Sequence, residues 1–107
     1  MATAQVTMQD AADATGDGTA IPFAGPFGDA EKVRVQVSGT FSATVTYEGT
    51  VDGSNWVAFA ATDASTTSTA AEILLFETAG LAEFRARVSA YTSGNVTVTA
   101  GAYTPRG

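Results

Sequence analysis

Hydrophobic and polar residues alternate strictly over two long stretches of this chain. The first runs from Lys32 to Val37, where valine occupies every second position. The second runs from Phe41 to Glu48, where Phe, Ala, Val and Tyr alternate with Ser, Thr and Glu. A period of two puts one set of side chains on each face of a pleated strand. We therefore predict antiparallel strands that each have one buried and one solvated face.

Turn signals separate further short strands along the remaining sequence. Asp52-Gly53 marks a hairpin, because this pair tolerates the positive φ values that tight hairpins require. Alternation returns in Phe84 to Val88 and in Val96 to Ala100, on either side of a second hairpin loop. About eight strands, with turns roughly 8 to 12 residues apart, predict an all-β antiparallel sandwich of jelly-roll-like type.

One short strand differs from the others, because Glu72 to Glu77 is apolar on both faces. Ile73 and Leu75 would lie on one face, and Leu74 and Phe76 on the other. A strand that is buried on both faces is central in its sheet, or else its outer face is covered by another chain.

Charge divides the chain into two parts. The net charge is −6, and all five of the acidic residues before Lys32 stand in a stretch without any base. We therefore predict an extended acidic N-terminal arm or edge segment over residues 1–29, and a β-sandwich domain over residues 30–107. An acidic surface repels phosphate, which argues against nucleic acid as a partner. A basic protein surface suits the segment better; the alternative is that the acids serve only solubility.

The composition also restricts the chemistry. The chain has no Cys and no His, so disulfides, thiolate metal sites and the most common general base are excluded. The acids of Asp13 to Gly18 lack the full ligand spacing of a calcium loop. We expect no metal, no cofactor and no enzymatic activity. No apolar run approaches the roughly 18 residues of a membrane span, and no signal peptide is evident, so no membrane association is expected.

Two motifs carry a resemblance to a known group of proteins. Residues 46–59 contain the pattern EG-x-x-DG-x-x-W, and residues 80–101 contain G-L-x-x-x-R-x-R-V-S-A-Y-T-S-G-x-V-T-V. Together with the order of strands, these motifs resemble a recurrent β-sandwich module in small structural proteins of tailed bacteriophages. The resemblance covers about Val33 to Ala102.

The resemblance implies a binding or structural role in the virion. The expected function is a capsid decoration (cement) protein, made in the host bacterial cytoplasm, that binds the outside of an assembled phage capsid and stabilises it. Its partners would be the major capsid protein or neighbouring virion subunits. The protein itself is expected to be a homo-oligomer, with a trimer favoured. A tail, fibre or baseplate structural module is the alternative. A carbohydrate-binding module, with Trp56 and Tyr91 as its platform, is a further one.

Candidate contact residues follow from these patterns. Arg85 and Arg87 project from one face of a strand, as do Lys32 and Arg34 on another. Two interpretations are open for each pair: it binds carboxylates on a neighbouring strand, or it forms a contact stripe for an acidic partner. Trp56 is expected to close the end of the core, with sugar stacking as the alternative. The predicted partner contacts are Phe23, Phe27, Leu74, Phe76, Arg85, Arg87 and Tyr91.

Overall fold

The structure, a computed structural model, describes residues 2–23 and 32–104, which form nine strands and no helix. The strands are β1 (Ala2–Ala12), β2 (Ile21–Pro22), β3 (Lys32–Ser38), β4 (Phe41–Thr50), β5 (Val57–Ala58), β6 (Thr67–Ser68), β7 (Glu72–Glu77), β8 (Glu83–Gly94) and β9 (Val96–Thr104). They form two antiparallel sheets that enclose one core, which confirms the predicted all-β sandwich.

Strands that follow one another in the sequence often belong to different sheets. The first sheet has the order β1-β9-β3-β7, so β1 and β7 are its edges. The second sheet has the order β2-β8-β4-β5, and β6 also pairs with β4. The largest pairing joins β4 to β8 from Phe41↔Gly94 to Thr50↔Glu83. The two alternating stretches of the sequence are therefore strands of different sheets rather than one bent strand.

The inward-facing side chains of both sheets fill the space between them. Every second residue of β3 is buried, as the alternation predicts. An aromatic cluster lies at the centre: the ring centroids of Tyr47 and Phe76 are 4.8 Å apart, as are those of Phe76 and Phe84. Aromatic contacts at such separations add to the stabilisation that burial alone provides. The Tyr47 hydroxyl is hydrogen-bonded to the Ser68 hydroxyl at 2.7 Å, so its one polar group is satisfied.

The N-terminal segment is part of the sandwich. Strand β1 pairs with β9 from Ala2↔Thr104 to Ala12↔Val96, and β2 pairs with β8. Met8 and Ile21 belong to the buried core. Of the two alternatives predicted for residues 1–29, an extended arm or an edge segment, the structure shows edge strands over residues 2–23. The boundary at residue 29 lies outside the described residues.

Strand β7 lies at an edge, which corrects the prediction that it is central. It pairs with β3 on one side, and the loop before it covers only part of the other side, through a hydrogen bond from Thr62 N to Leu75 O at 2.8 Å. Leu74 and Phe76 point into the core, whereas Ile73 on the outer face is 61% exposed. The structure therefore excludes a central position for β7 and leaves Ile73 uncovered by the described residues.

Candidate interaction surfaces

An ion-pair network occupies the outer face of the second sheet. Glu48 on β4 stands opposite Arg85 on β8, and its side chain is nearly buried. Arg85 Nε donates a hydrogen bond of 2.8 Å to Glu48 Oε1, and Arg87 approaches Glu48 Oε2 with its terminal nitrogen at 3.3 Å. One carboxylate thus holds two guanidinium groups on a partly shielded surface, where charged hydrogen bonds are stronger than in open water.

The ring of Trp56 also contacts this network. Its ring lies over the Arg85 guanidinium, with Cζ 4.2 Å from the ring centroid. Asp17, in the segment between β1 and β2, also approaches this guanidinium, with its Oδ2 3.5 Å from Arg85 Nη1. Trp56 is half-buried and is not a member of the core cluster. The prediction that it closes the end of the core is therefore wrong, because the turn that carries it places its ring on the outside of the sheet.

The two arginines have partners within the chain. Their pairing with Glu48 matches the interpretation in which Arg85 and Arg87 bind a carboxylate on the neighbouring strand. Their charges are balanced by Glu48 and Asp17, which leaves little attraction for an acidic partner. Arg87 Nε is buried and has no hydrogen-bond partner among the described residues. The network thus stabilises the second sheet more than it prepares a contact stripe.

The outer face of the first sheet carries the other pair of basic residues in different surroundings. Lys32, Arg34 and Gln36 are exposed on β3 and lie in register with Glu77, Leu75 and Ile73 of β7. Within residues 2–23 and 32–104, no ion pair involves Lys32 or Arg34. Arg34 therefore lies beside Leu75 and close to Ile73, next to an apolar patch.

A groove opens at the end of the sandwich, beside the hairpin that links β4 to β5. Its volume is about 540 Å³, and its apolar walls are formed by Val51, Val57, Phe59 and Leu81. Val51 and Val57 are 74% and 67% exposed. A Cβ atom at Gly49 would lie 3.0 Å from Leu81 Cδ1, so glycine at this position leaves room for the floor of the groove.

Asp52 stands at the rim of this groove as a fixed negative charge. Its Oδ1 accepts hydrogen bonds from the backbone N–H groups of Ser54 and Asn55, both at 2.8 Å. These bonds, first of all those from Asn55, hold the pKa of the Asp52 carboxyl well below its usual range. The predicted Asp-Gly hairpin is present, and Gly53 has a φ of 80°. The turn thus fixes an anion next to exposed apolar surface.

The other predicted contact residues have different fates. Leu74 and Phe76 are 5% and 0% exposed, so they cannot contact a partner in the folded chain. Their strand places them on the inner face, and this corrects their assignment. Phe23 is half-buried against the core, and Phe27 lies outside the described residues.

Tyr91 also packs partly against the core, and its hydroxyl donates a hydrogen bond of 2.8 Å to Gly94 O. Trp56, by contrast, covers Arg85 on the outer face of the same sheet. The two rings therefore do not form one platform for a sugar.

Sequence reasoning missed the groove. Val51 and Val57 flank the Asp52-Gly53 hairpin, where the sequence pattern indicates only a turn and a strand. A signal was present, because a large apolar side chain beside a turn of small and polar residues has few neighbours to pack against.

Two further candidate sites can be assessed in the described part of the chain. It contains no cluster of three or more metal-ligating side chains. No helix in it is long and apolar enough to cross a membrane.

These features define a small all-β sandwich protein with exposed apolar side chains on its surface. The sequence matches the XepA family model over residues 2–102. The chain belongs to the XepA family.

Two solved structures share the fold. The SPBc2 prophage-derived protein YomS is 20% identical, with a TM-score of 0.83, and the match covers 94% of this chain and 92% of YomS. The PBSX exported protein XepA is 21% identical, with a TM-score of 0.84 over 94% of this chain and 37% of XepA. The chain thus spans little more than a third of that XepA chain. A search of curated proteins found no match. At these identities, the likeness shows that the chain shares the fold of the two proteins.

Proposed function

We propose that this chain is a structural virion protein that binds the outside of an assembled phage capsid and stabilises it. The observation that carries this proposal is the exposure of three large apolar side chains, Val51, Val57 and Ile73, at 74%, 67% and 61%. Apolar groups that gather at a groove and on a sheet face are typical of protein–protein contact surfaces. Membership of a family with prophage-derived relatives supports a particle component as the setting.

The charged groups support binding rather than chemistry. Arg85 and Arg87 are held by Glu48, and Asp52 is held by its own turn. Side chains that are neutralised or constrained in this way stabilise the surface and do not present a free acid, base or nucleophile to a substrate. An assignment as a non-enzymatic protein remains part of the proposal.

Capsid stabilisation would follow from preferential binding. A protein that binds the assembled shell but not the free subunits shifts the equilibrium towards the shell by mass action. The partner is the major capsid protein, and repeated identical sites on the shell suit a symmetric homo-oligomer, for which a trimer remains the expectation. Many modest contacts across a rigid sandwich would supply the affinity.

One comparison favours a second candidate. The PBSX relative is described as an exported protein, which suits a phage protein that acts free in the medium after release. A tail or fibre module is a third arrangement of the same sandwich. The structure does not support the proposed carbohydrate platform, because Trp56 covers Arg85 and Tyr91 packs on the other face of the sheet.

The test is co-sedimentation of the purified chain with emptied, tailless heads of the phage that encodes it. Decoration predicts saturable binding at a fixed ratio to the major capsid subunit. A matched sample with unassembled capsid subunits should show much weaker binding. Absence of the chain from heads would overturn the proposal. Its recovery with tails would then indicate a tail module, and its recovery free in the lysate would indicate an exported role.

A further inference from the structure

We infer that the groove beside the β4–β5 hairpin binds an extended segment of a different protein, which adds a strand along β5 and carries an aliphatic side chain flanked by lysine or arginine. The free edge of β5, the apolar walls of the groove and Asp52 at its rim each indicate one part of this chemistry. This role rests on the proposed function as a binding protein but not on the capsid as the partner, so a synthetic peptide tests it separately.

The edge of β5 that faces away from β4 offers backbone hydrogen-bonding groups to a partner. Phe59 N donates a hydrogen bond of 2.9 Å to Tyr47 O, and Glu48↔Ala58 is the next pair in the register. Because hydrogen-bonded and non-hydrogen-bonded pairs alternate along an antiparallel ladder, the N–H and C=O groups of Ala58 point away from β4. Ala58 is exposed, and within the described residues its backbone makes no hydrogen bond outside the sheet. An extended segment can therefore pair with β5 as an added strand.

The groove beside this edge accommodates an aliphatic side chain. Its volume is about 540 Å³, and it is lined by Val57 and Phe59, which are two residues apart and lie on the same face. Gly49, opposite Val57 in the register, has no side chain to fill the space. The ring centroid of Phe59 is 6.2 Å from that of Phe76 in the core, so the groove ends on well-packed structure. A leucine-sized side chain that enters it covers apolar surface that the described residues leave in water.

Asp52 gives the groove its preference for a cationic partner. Its Oδ1 accepts hydrogen bonds from the backbone N–H groups of Ser54 and Asn55 and from the hydroxyl of Thr50, which fix the carboxylate in its ionised form. Lysine and arginine are absent from the described residues that line the groove, and the whole chain has a net charge of −6. A base next to the bound aliphatic side chain therefore meets an anion, whereas an acid at the same place is repelled.

The pleat of an added strand determines the design of the probe. Side chains two residues apart in an extended segment lie on the same face. The acetylated and amidated peptide Lys-Thr-Leu-Thr-Lys therefore presents its leucine to the groove with a lysine on either side. Because this sequence reads the same in both directions, a base lies towards Asp52 whether the added strand is parallel or antiparallel to β5. The matched control peptide is Glu-Thr-Leu-Thr-Glu.

Titration of the isotope-labelled chain with each peptide, followed by amide chemical shifts, measures the binding. With the lysine peptide we expect saturable shifts at Asp52, Val57, Ala58 and Leu81 and a dissociation constant of about 1 mM or lower. The glutamate peptide should bind about tenfold more weakly, because its acids lie beside a fixed anion.

A substitution at Asp52 tests the charge preference. Asp52→Asn keeps an oxygen acceptor for the turn but removes the charge, so we expect it to weaken binding of the lysine peptide about threefold and to reduce the difference between the two peptides. Asp63→Asn is the matched control, because Asp63 Oδ1 also accepts a backbone hydrogen bond, from Ser65 N at 2.9 Å, and Asp63 does not line the groove. It should leave binding unchanged.

A second substitution tests strand addition. Ala58→Pro removes the N–H group that points away from β4, a position where an edge strand tolerates proline, and should weaken binding of the lysine peptide about tenfold. A lysine peptide methylated at its three central backbone nitrogens tests the same step on the unchanged protein, and we expect a similar loss. Circular dichroism should show that all three protein variants remain folded.

Three results would overturn the inference. Equal binding of the lysine and glutamate peptides would exclude the charge preference. Unchanged binding by the methylated peptide, or shifts that lie away from the groove, would exclude strand addition along β5. Chemical shifts of Val57 and Leu81 that change on dilution of the protein alone would mean that a second copy occupies the groove. Co-sedimentation with heads is a separate measurement, so failure here is distinguishable from failure of capsid binding.

Discussion

The outer faces of the two sheets carry similar residues in the sequence but differ in their contacts. On the second sheet, Arg85 and Arg87 share Glu48, and Trp56 covers Arg85. On the first sheet, Arg34 lies opposite Leu75, and no ion pair within residues 2–23 and 32–104 involves it. The same spacing of two basic residues on one strand face thus has two different outcomes.

The difference comes from the strand that lies next to each basic pair. Strand β8 is paired along its length with β4, which lies inside the second sheet. This pairing places the Glu48 carboxylate between the two guanidinium groups. Strand β3 is paired with β7, which offers Leu75 opposite Arg34. One face therefore uses its charges to hold its own sheet, whereas the other leaves charge and apolar area for a partner. Substitutions on the two sheets, and a change of pH, test this contrast.

Removal of the shared carboxylate should have the largest effect. Glu48→Ala leaves two partly buried guanidinium groups without their partner, so we expect it to lower the free energy of unfolding by about 3 kcal/mol. On the other sheet, Arg34→Ala should change it by less than about 0.5 kcal/mol, because no ion pair within the described residues is lost. Urea unfolding followed by Trp56 fluorescence measures both. Equal losses from the two substitutions would mean that the contrast between the faces is incorrect.

Alkaline pH should weaken the second sheet through Tyr47, the residue before Glu48. Burial raises the pKa of the Tyr47 hydroxyl to about 12. The folded state then binds the proton more tightly than the unfolded chain, whose tyrosine titrates near 10. Stability from this group is complete below about pH 10 and is lost as the pH rises to about 12, by about 2.7 kcal/mol.

The measurement is urea unfolding of the wild-type chain and of Tyr47→Phe at a series of pH values from 8 to 12. Tyr47→Phe should start less stable, since Ser68 loses its hydrogen-bond partner, but its stability should fall less between pH 10 and 12. Tyr91→Phe, which changes a hydroxyl bound to Gly94 O at the surface, should keep the wild-type dependence. A fall of equal size in all three proteins would exclude Tyr47 as its source.

The sequence predicted the strands better than the surfaces. Alternation in β3, β4, β8 and β9 identified the buried faces, because a period of two is a local property that neighbours do not alter. It did not distinguish Arg34 from Arg85, because the strand that pairs with each is set by topology. It also assigned Phe76 to a partner contact, although this side chain lies on the inner face of β7. A strand that is apolar on both faces does not show by its local pattern which face turns towards the core.

The contact between Trp56 and Arg85 should make a smaller contribution. A guanidinium 4.2 Å from the ring centroid gains a cation–π attraction, and Trp56→Leu should therefore lower the free energy of unfolding by about 1 kcal/mol. Trp56→Phe keeps an aromatic face and should recover part of that loss. Because both variants lack the tryptophan, urea unfolding is followed by circular dichroism. If Trp56→Leu and Trp56→Phe lower the free energy of unfolding equally, the stabilisation comes from burial of the ring rather than from its charge distribution.

The smallest effect is expected at the edge of the first sheet, where the backbone of β1 bends. Ala11 has a φ of 49°, a left-handed conformation that is unfavourable for a residue with a Cβ atom. Thr97 Oγ1 accepts a hydrogen bond from Ala11 N, and Asn95 Nδ2 donates one to Ala11 O, both at 3.1 Å. These bonds hold the bend from the neighbouring strand β9.

Ala11→Gly relieves the unfavourable conformation but adds freedom to the unfolded chain, so the net gain in the free energy of unfolding should be only about 0.5 kcal/mol. The adjacent Ala12, whose φ is not positive, provides the control, and Ala12→Gly should cost at least about 0.5–1 kcal/mol, because the entropic term remains and a methyl group packed against the core is lost. Thermal unfolding of the two variants checks the signs. Opposite signs would show that strain at β1 is local and that this edge of the first sheet is held by its bonds to β9. If both variants were destabilised equally, the conformation of Ala11 would store no strain. The contrast between the two sheets would then rest only on the β3–β7 face of the first sheet.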